Sequence, residues 1–172
     1  MAWGYAGVLC LQIEKEAHTV KPLIVFASKF GASVVLNHEL LVEKAQCYYL
    51  LNPILRKIAK PNFYYAGLYL GKVEGGVFFP SFNLLNMMAP VAANKVFLEP
   101  KAAWLFICGR DVFKKGIAKS MGSQRKGDYT LVLNACGECL GFGVLTASLA
   151  AVSGRVVVRN MLDIGNFLRR EG

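Results

Sequence analysis

The apolar residues of this chain come in short runs that glycine, proline and asparagine repeatedly interrupt, which leaves room only for short elements. The longest stretches without a formal charge are Val77–Asn94, 18 residues, and Cys139–Gly154, 16 residues. Pro80, Pro90 and three asparagines break the first, and Gly141, Gly143 and Gly154 punctuate the second. A membrane-spanning helix needs about 20 predominantly apolar residues, so no membrane association is expected. Met1–Ile13 contains no Lys or Arg and lacks the basic start of a secretory signal. The expected setting is cytoplasmic.

Basic and apolar character coincide. Lys and Arg number 20 against 11 Asp and Glu, a formal charge of +9, yet 55% of the 172 residues are apolar. A disordered nucleic-acid tail has low hydrophobicity and cannot offset its ordering entropy. This chain has the apolar surface to do so and is expected to fold, as one domain or two small ones. The five cysteines, Cys10, Cys47, Cys108, Cys136 and Cys139, are odd in number and scattered, unlike the framework of a small secreted domain.

Charge divides the chain unevenly. Residues 1–94 hold 8 basic and 5 acidic side chains, net +3, whereas residues 95–172 hold 12 and 6, net +6. Between Lys101 and Lys126 seven basic residues face only Asp111. Such density suits a polyanion, because each cation placed on a phosphate releases condensed counterions.

The local patterns read as an α+β chain. Pro22–Phe30 has helical apolar spacing with Gly31 as its cap; Ser33–Asn37 and Gln46–Leu51 read as strands, with Glu39–Lys44 a strand or a turn between them. Asn52-Pro53 starts a helix that stops before Pro61. Phe63–Lys72 and Val77–Phe79 flank a Glu74-Gly75-Gly76 hairpin turn, and Ser81 caps a helix over Phe82–Ala89. A domain boundary is expected at Asn94: residues 1–94 form an α+β module, and 95–172 a second domain. There, Lys95–Leu98 is a strand, Pro100 starts a helix that Gly109 ends, and Tyr129–Leu133, Leu140–Thr146 and Arg155–Arg159 are strands. Asp163–Arg170 reads as a terminal helix, with Arg169 and Arg170 at the negative end of its dipole. Short strands with glycine turns suggest a small barrel.

No motif points to catalysis. Cys136-Gly137-Glu138-Cys139 lacks a second pair of zinc ligands, since His18 and His38 are isolated, and it lies between strands rather than ahead of a helix; a structural hairpin turn, with or without a local disulfide, is expected. Gly116–Ser120 resembles the end of a phosphate-binding loop, but Ala118 stands where glycine must precede the lysine. Gly109, Gly116 and Gly122 still permit close backbone approach to a phosphate. Tyr48, Tyr49, Tyr64, Tyr65 and Tyr69 are of the type that stacks bases, although their alternation with Leu and Ala favours half-buried strand positions. No cofactor and no metal are expected.

The order Lys95–Lys101 (KVFLEPK), an aromatic helix ending at Gly109, Val112–Ile117 (VFKKGI), Tyr129, Leu140–Val144 (LGFGV) and Asp163–Arg169 (DIGNFLR) resembles a PUA domain, a compact pseudo-β-barrel. With Phe82–Pro90 (FNLLNMMAP), Tyr48-Tyr49-Leu50 and Gly67–Val73 (GLYLGKV), the resemblance is closest to the Nip-seven family of large (60S-type) ribosomal subunit biogenesis factors, in its archaeal form, over roughly residues 22–171. Residues 1–20 and the Cys136–Cys139 turn lie outside it.

The resemblance implies a non-enzymatic, monomeric RNA-binding factor of ribosome biogenesis and rRNA processing. Its PUA domain would hold rRNA or pre-rRNA, single-stranded or looped, and its N-terminal domain would contact ribosome assembly or RNA-processing proteins. PUA domains bind through the segment after their first helix and a late strand, which correspond here to Arg110, Lys114 and Lys115, and to Arg155 and Arg159. Charge and proximity add Lys119, Arg125 and Lys126, and the chain end adds Arg169 and Arg170. A protein-interaction scaffold with incidental RNA contact, or an accessory PUA protein of an RNA-modification system, is the alternative.

Overall fold

The computed structural model describes residues 21–32, 38–58, 67–123, 125–149, 155–166 and 169. Ser33–Asn37, the Pro61 helix stop, residues 63–66 with Tyr64 and Tyr65, His18, Cys10 and Arg170 lie outside the described residues. The chain forms two compact units, Met1–Phe26 with Val35–Leu84, and Ala27–Val34 with Leu85–Gly172.

The first unit is built on a four-stranded antiparallel meander, β1 (Leu41–Lys44), β2 (Cys47–Leu50), β3 (Leu68–Glu74) and β4 (Val77–Pro80), in that order. Helix α1, over 21–28, begins in this unit. Between β2 and β3 the Asn52-Pro53 pair starts α2 (Pro53–Ile58) as expected, with Asn52 Oδ1 accepting the Leu55 N–H at 2.7 Å. Tyr48 and Tyr49 are buried. Tyr48 packs on Phe78 at 6.0 Å between ring centroids, and Tyr49 on Tyr69 at 5.5 Å. Tyr48 and Tyr49 are thus core residues and Tyr69 is half-buried against Tyr49, so they are not open stacking platforms. Ser81 opens α3 (Phe82–Met88): its Oγ accepts the Leu84 N–H and donates to the Tyr69 carbonyl.

The second unit holds a six-stranded, mostly antiparallel sheet and one helix. In chain order its elements are β5 (Lys95–Leu98), α4 (Pro100–Ile107), β6 (Val112–Phe113), a 3-10 turn Lys114–Gly116, β7 (Ile117–Met121), β8 (Tyr129–Leu133), β9 (Cys139–Leu145) and β10 (Val156–Asp163). The strand order is β6-β10-β9-β8-β5-β7, with β5 and β8 the parallel pair. α4 packs across β5, β6, β9 and β10, burying Ala103 and Phe106 in a core with Val96, Leu98, Val112, Val132, Leu145, Val157 and Val158. On the other face of the sheet Phe30 meets Tyr129 and Phe142 edge-on at 5.6 and 5.7 Å. Both faces of β9 are therefore covered, which explains why LGFGV is apolar throughout. Gly141 sits at φ +148°, where a Cβ would run into the Leu162 carbonyl; only glycine lets β10 approach so closely.

Two expectations change, and Gly116–Ser120, which already lacks the glycine of a phosphate-binding loop, is mostly strand: Ile117–Met121 pairs with β5 through Lys95↔Met121, Val96↔Ser120 and Phe97↔Lys119. Gly116 is small for an intramolecular reason: a Cβ there would lie 2.6 Å from that of Ala102 on α4. The terminal helix does not begin at Asp163, which ends β10 opposite Gly141; among the described residues beyond it, helical backbone is found at 166 and 169. β10 is longer than Arg155–Arg159 because β9 offers partners as far as Gly141.

Candidate nucleic-acid interface

β6 is two residues long and antiparallel to β10, with Val112↔Val158 and Phe113↔Val156 in register. That pairing aligns segment 110–115 with segment 155–160, running in the opposite direction. The Lys114 N–H donates to the Arg155 carbonyl at 3.2 Å. At the other end, the Asn160 N–H donates to Asp111 Oδ1 at 2.9 Å. Arg110 therefore lies beside Asn160, and Lys114 and Lys115 lie beside Arg155.

Arg159 falls between these ends. It pairs with Val144, and Val144 with Tyr129. Cross-strand partners share a face, so Arg159 is on the face away from the buried Val158 and Leu145. Arg110, Lys115, Arg155 and Arg159 are exposed and Lys114 is half-buried. Five cations thus line one edge of the sheet, with Arg155 and Arg159 about 13 Å apart along the chain at about 3.3 Å per residue. The one acid in the surrounding segment, Asp111, is held by a backbone N–H.

Gly109 presents this strip. It stands at φ +85° after α4, with its N–H on the Phe106 carbonyl and the Arg110 N–H on the Leu105 carbonyl. This left-handed cap turns the chain out of the helix at Arg110.

The other expected residues lie apart. Lys119 is exposed on β7, at the far end of the strand order, with Nζ 5.7 Å from the Phe97 ring centre. Arg125 and Lys126 are exposed in the β7–β8 loop, which is tied to β9 where the Gly127 N–H donates to the Leu145 carbonyl at 2.7 Å. Arg169 is internally engaged: Nη2 pairs with Asp163 Oδ2 at 2.7 Å and Nη1 donates to the Ile107 carbonyl. Its hydrogen bond to Asp163 pushes the guanidinium pKa further up.

The Cys136–Cys139 segment is the expected hairpin turn, and both thiols are free. Asn134 shapes it, with Oδ1 accepting the Cys136 and Glu138 N–H groups at 3.0 and 2.9 Å. Among the described residues, no group of three or more His, Cys, Asp or Glu is arranged to hold a metal ion. Nor is any helix among them long and apolar enough to cross a membrane. Asn160 does not stand out in the sequence, and Asp163 does so only as the start of the DIGNFLR segment; that both hold the end of α4 becomes visible only in the folded chain.

Comparison with known proteins agrees with this architecture. Residues 94–172 match the UPF0113 PUA domain family. The 60S ribosome subunit biogenesis protein NIP7 of Saccharomyces cerevisiae is 26% identical over 144 residues, 79% of this chain and 80% of that protein. A UPF0113 protein of Archaeoglobus fulgidus is 26% identical over 152 residues, covering 84% and 86%. Among solved structures, a conserved PUA domain protein from Thermoplasma acidophilum aligns with a TM-score of 0.59 at 21% identity, over 88% of this chain and 93% of that one, which supports the fold. Residues 94–172 thus match the UPF0113 PUA domain family, and most of the chain is similar to the Nip-seven ribosome biogenesis proteins.

Proposed function

We propose that this protein is a non-enzymatic RNA-binding factor of large ribosomal subunit assembly, whose PUA domain grips rRNA or pre-rRNA. The observation that carries the reading is the alignment of Arg110, Lys114, Lys115, Arg155 and Arg159 along the β6–β10 edge. Cations spaced along an extended edge fit successive phosphates of an unpaired strand, and specific recognition of RNA favours such loops and single strands. Lys119, Arg125 and Lys126 extend the field around the strip. Arg169 supports the fold of the face, while Arg170 adds charge at the chain end.

In this reading residues 95–172 bind RNA without a cofactor, and residues 1–94 meet assembly or RNA-processing proteins. The protein acts as a monomer in the cytoplasm. The names of the relatives, biogenesis proteins rather than enzymes, support the non-enzymatic role.

The test is Lys114→Glu with Lys115→Glu, measured by binding to single-stranded ribosomal RNA fragments at several salt concentrations. Two lost phosphate contacts should flatten the slope of log K against log salt by about 1.4, at about 0.7 per contact, and weaken binding by at least about tenfold. Unchanged affinity would remove this face from RNA binding.

A further inference from the structure

The carboxyl end of α4 is held by side chains that come from more than fifty residues further along the chain. A helix leaves its last four carbonyls without intrahelical partners. Backbone donors beyond the helix reach three of them here, Trp104 O from Cys108, Leu105 O from Arg110 and Phe106 O from Gly109. Asn160 Nδ2 adds a second bond to Phe106 O at 2.9 Å, and Arg169 Nη1 takes Ile107 O.

Both side-chain donors are anchored on one carboxylate. Asp163 Oδ2 accepts from Asn160 Nδ2 at 3.1 Å and from Arg169 Nη2 at 2.7 Å. Asp163 is 3% exposed and its other oxygen, Oδ1, is buried without a hydrogen-bond partner among the described residues. A half-satisfied buried carboxylate is a poor way to fill space, since an apolar residue of similar volume packs as well without the desolvation penalty. What the carboxylate supplies is orientation of two donors.

Those donors enclose the turn that presents Arg110. The α4 carbonyls precede it, and Asp111, which accepts the Asn160 N–H at 2.9 Å, follows it. The Arg169 guanidinium also lies against Gly109, where a Cβ would come within 3.2 Å of its Cζ. We infer that Asn160, Asp163 and Arg169 are positioning residues that fix the Gly109–Asp111 turn, and so set the direction in which Arg110 meets an RNA phosphate. The inference rests on the RNA face proposed above. A cation whose backbone is fixed in advance loses less freedom on binding than one on a loose turn.

A double-mutant cycle in the full chain tests it, with Arg110→Ala and Asn160→Ala read as Kd for a labelled single-stranded oligoribonucleotide of mixed sequence. Arg110→Ala should weaken binding about fivefold, the loss of one charge-assisted contact. Asn160→Ala should weaken it about threefold when Arg110 is present and not at all when Arg110 is already alanine, because the two act as one unit.

Asp111 supplies a second variant on the exposed side of the turn, for use if Asn160→Ala does not fold. Asp111→Asn keeps the acceptor, and Asp111→Ala should bind about threefold more weakly than it does, a difference that loss of negative charge alone would not produce. Additive losses in the cycle, or equal binding by the two Asp111 variants, overturn the positioning role while the RNA face stands. Full affinity in Arg110→Ala overturns the role of Arg110 in that face, and the positioning role with it.

Discussion

Cys136 and Cys139 sit three residues apart, yet their surroundings give them opposite chemistry. Cys136 is exposed, whereas Cys139 is 7% exposed with its Sγ donating to the Gly141 carbonyl at 3.6 Å. Burial pushes the Cys139 thiol up to about 11 from an ordinary value of 9.0. The thiolate is the reactive form, so at pH 8 a pulse of iodoacetamide should label Cys136 and leave Cys139 unlabelled until the protein unfolds, as read by peptide mass spectrometry. The same environment couples Cys139 to stability. Between pH 9 and 11 the unfolded chain has lost this proton and the folded chain still holds it, so the contribution is fully present below pH 9 and disappears as pH rises through 11. Denaturant midpoints at pH 8 and pH 10.5 should therefore lie closer together in Cys139→Ala than in the unaltered protein.

At the scale of elements, the two hairpins of the first unit solve one problem with different residues. The β3–β4 turn uses Gly75 and Gly76 at φ +57° and +77°, and the β1–β2 turn places Ala45 and Gln46 at +50° and +61°. Left-handed backbone at a residue with a Cβ costs about 1 kcal/mol. Gln46→Gly should accordingly raise stability by up to about 1 kcal/mol, seen as a higher urea midpoint with unchanged slope, while the Gln46 carbonyl keeps its bond from the Val73 N–H. A lower midpoint would mean that the Gln46 side chain supplies more than its backbone strain removes.

Elements of this kind are legible because their chemistry is local: the Asn52 and Ser81 caps, the Gly75-Gly76 turn and the Gly109 helix end all announce themselves within four residues. β6 and β7 do not. Val112-Phe113 is too short for any period to register, and Ile117–Met121 becomes a strand because β5, about twenty residues earlier, supplies its partners. Asp163 misleads for a related reason, since Asp ahead of an apolar segment resembles a helix start, and its actual partners, Gly141 and Arg169, are set by the sheet. The basic character of the candidate face is likewise open to counting along the chain. Which cations stand together is not, because the β6–β10 register alone brings Arg110 to Asn160 and Lys114 to Arg155.

On the proposed reading, the question at the scale of the whole molecule is how much of the +9 charge would act on one strand of RNA. The strip offers five cations in a line, while Lys119, Arg125 and Lys126 stand on β7 and on the β7–β8 loop. If only the strip meets phosphates, the slope of log K against log salt should be about −3.5, at about 0.7 per contact on a single strand. Engagement of all eight would steepen it to about −5.6. Lys119→Ala, Arg125→Ala and Lys126→Ala together separate these cases. In the strip-only case the triple variant keeps the slope and loses affinity only modestly, through the weaker long-range field, which salt screens over about 10 Å at 0.1 M. A slope that falls by about 2 would extend the RNA path from the β6–β10 edge across to β7. The Lys114→Glu, Lys115→Glu protein, measured alongside, fixes the loss expected for two contacts, so the same titration series decides how far round the domain the strand runs.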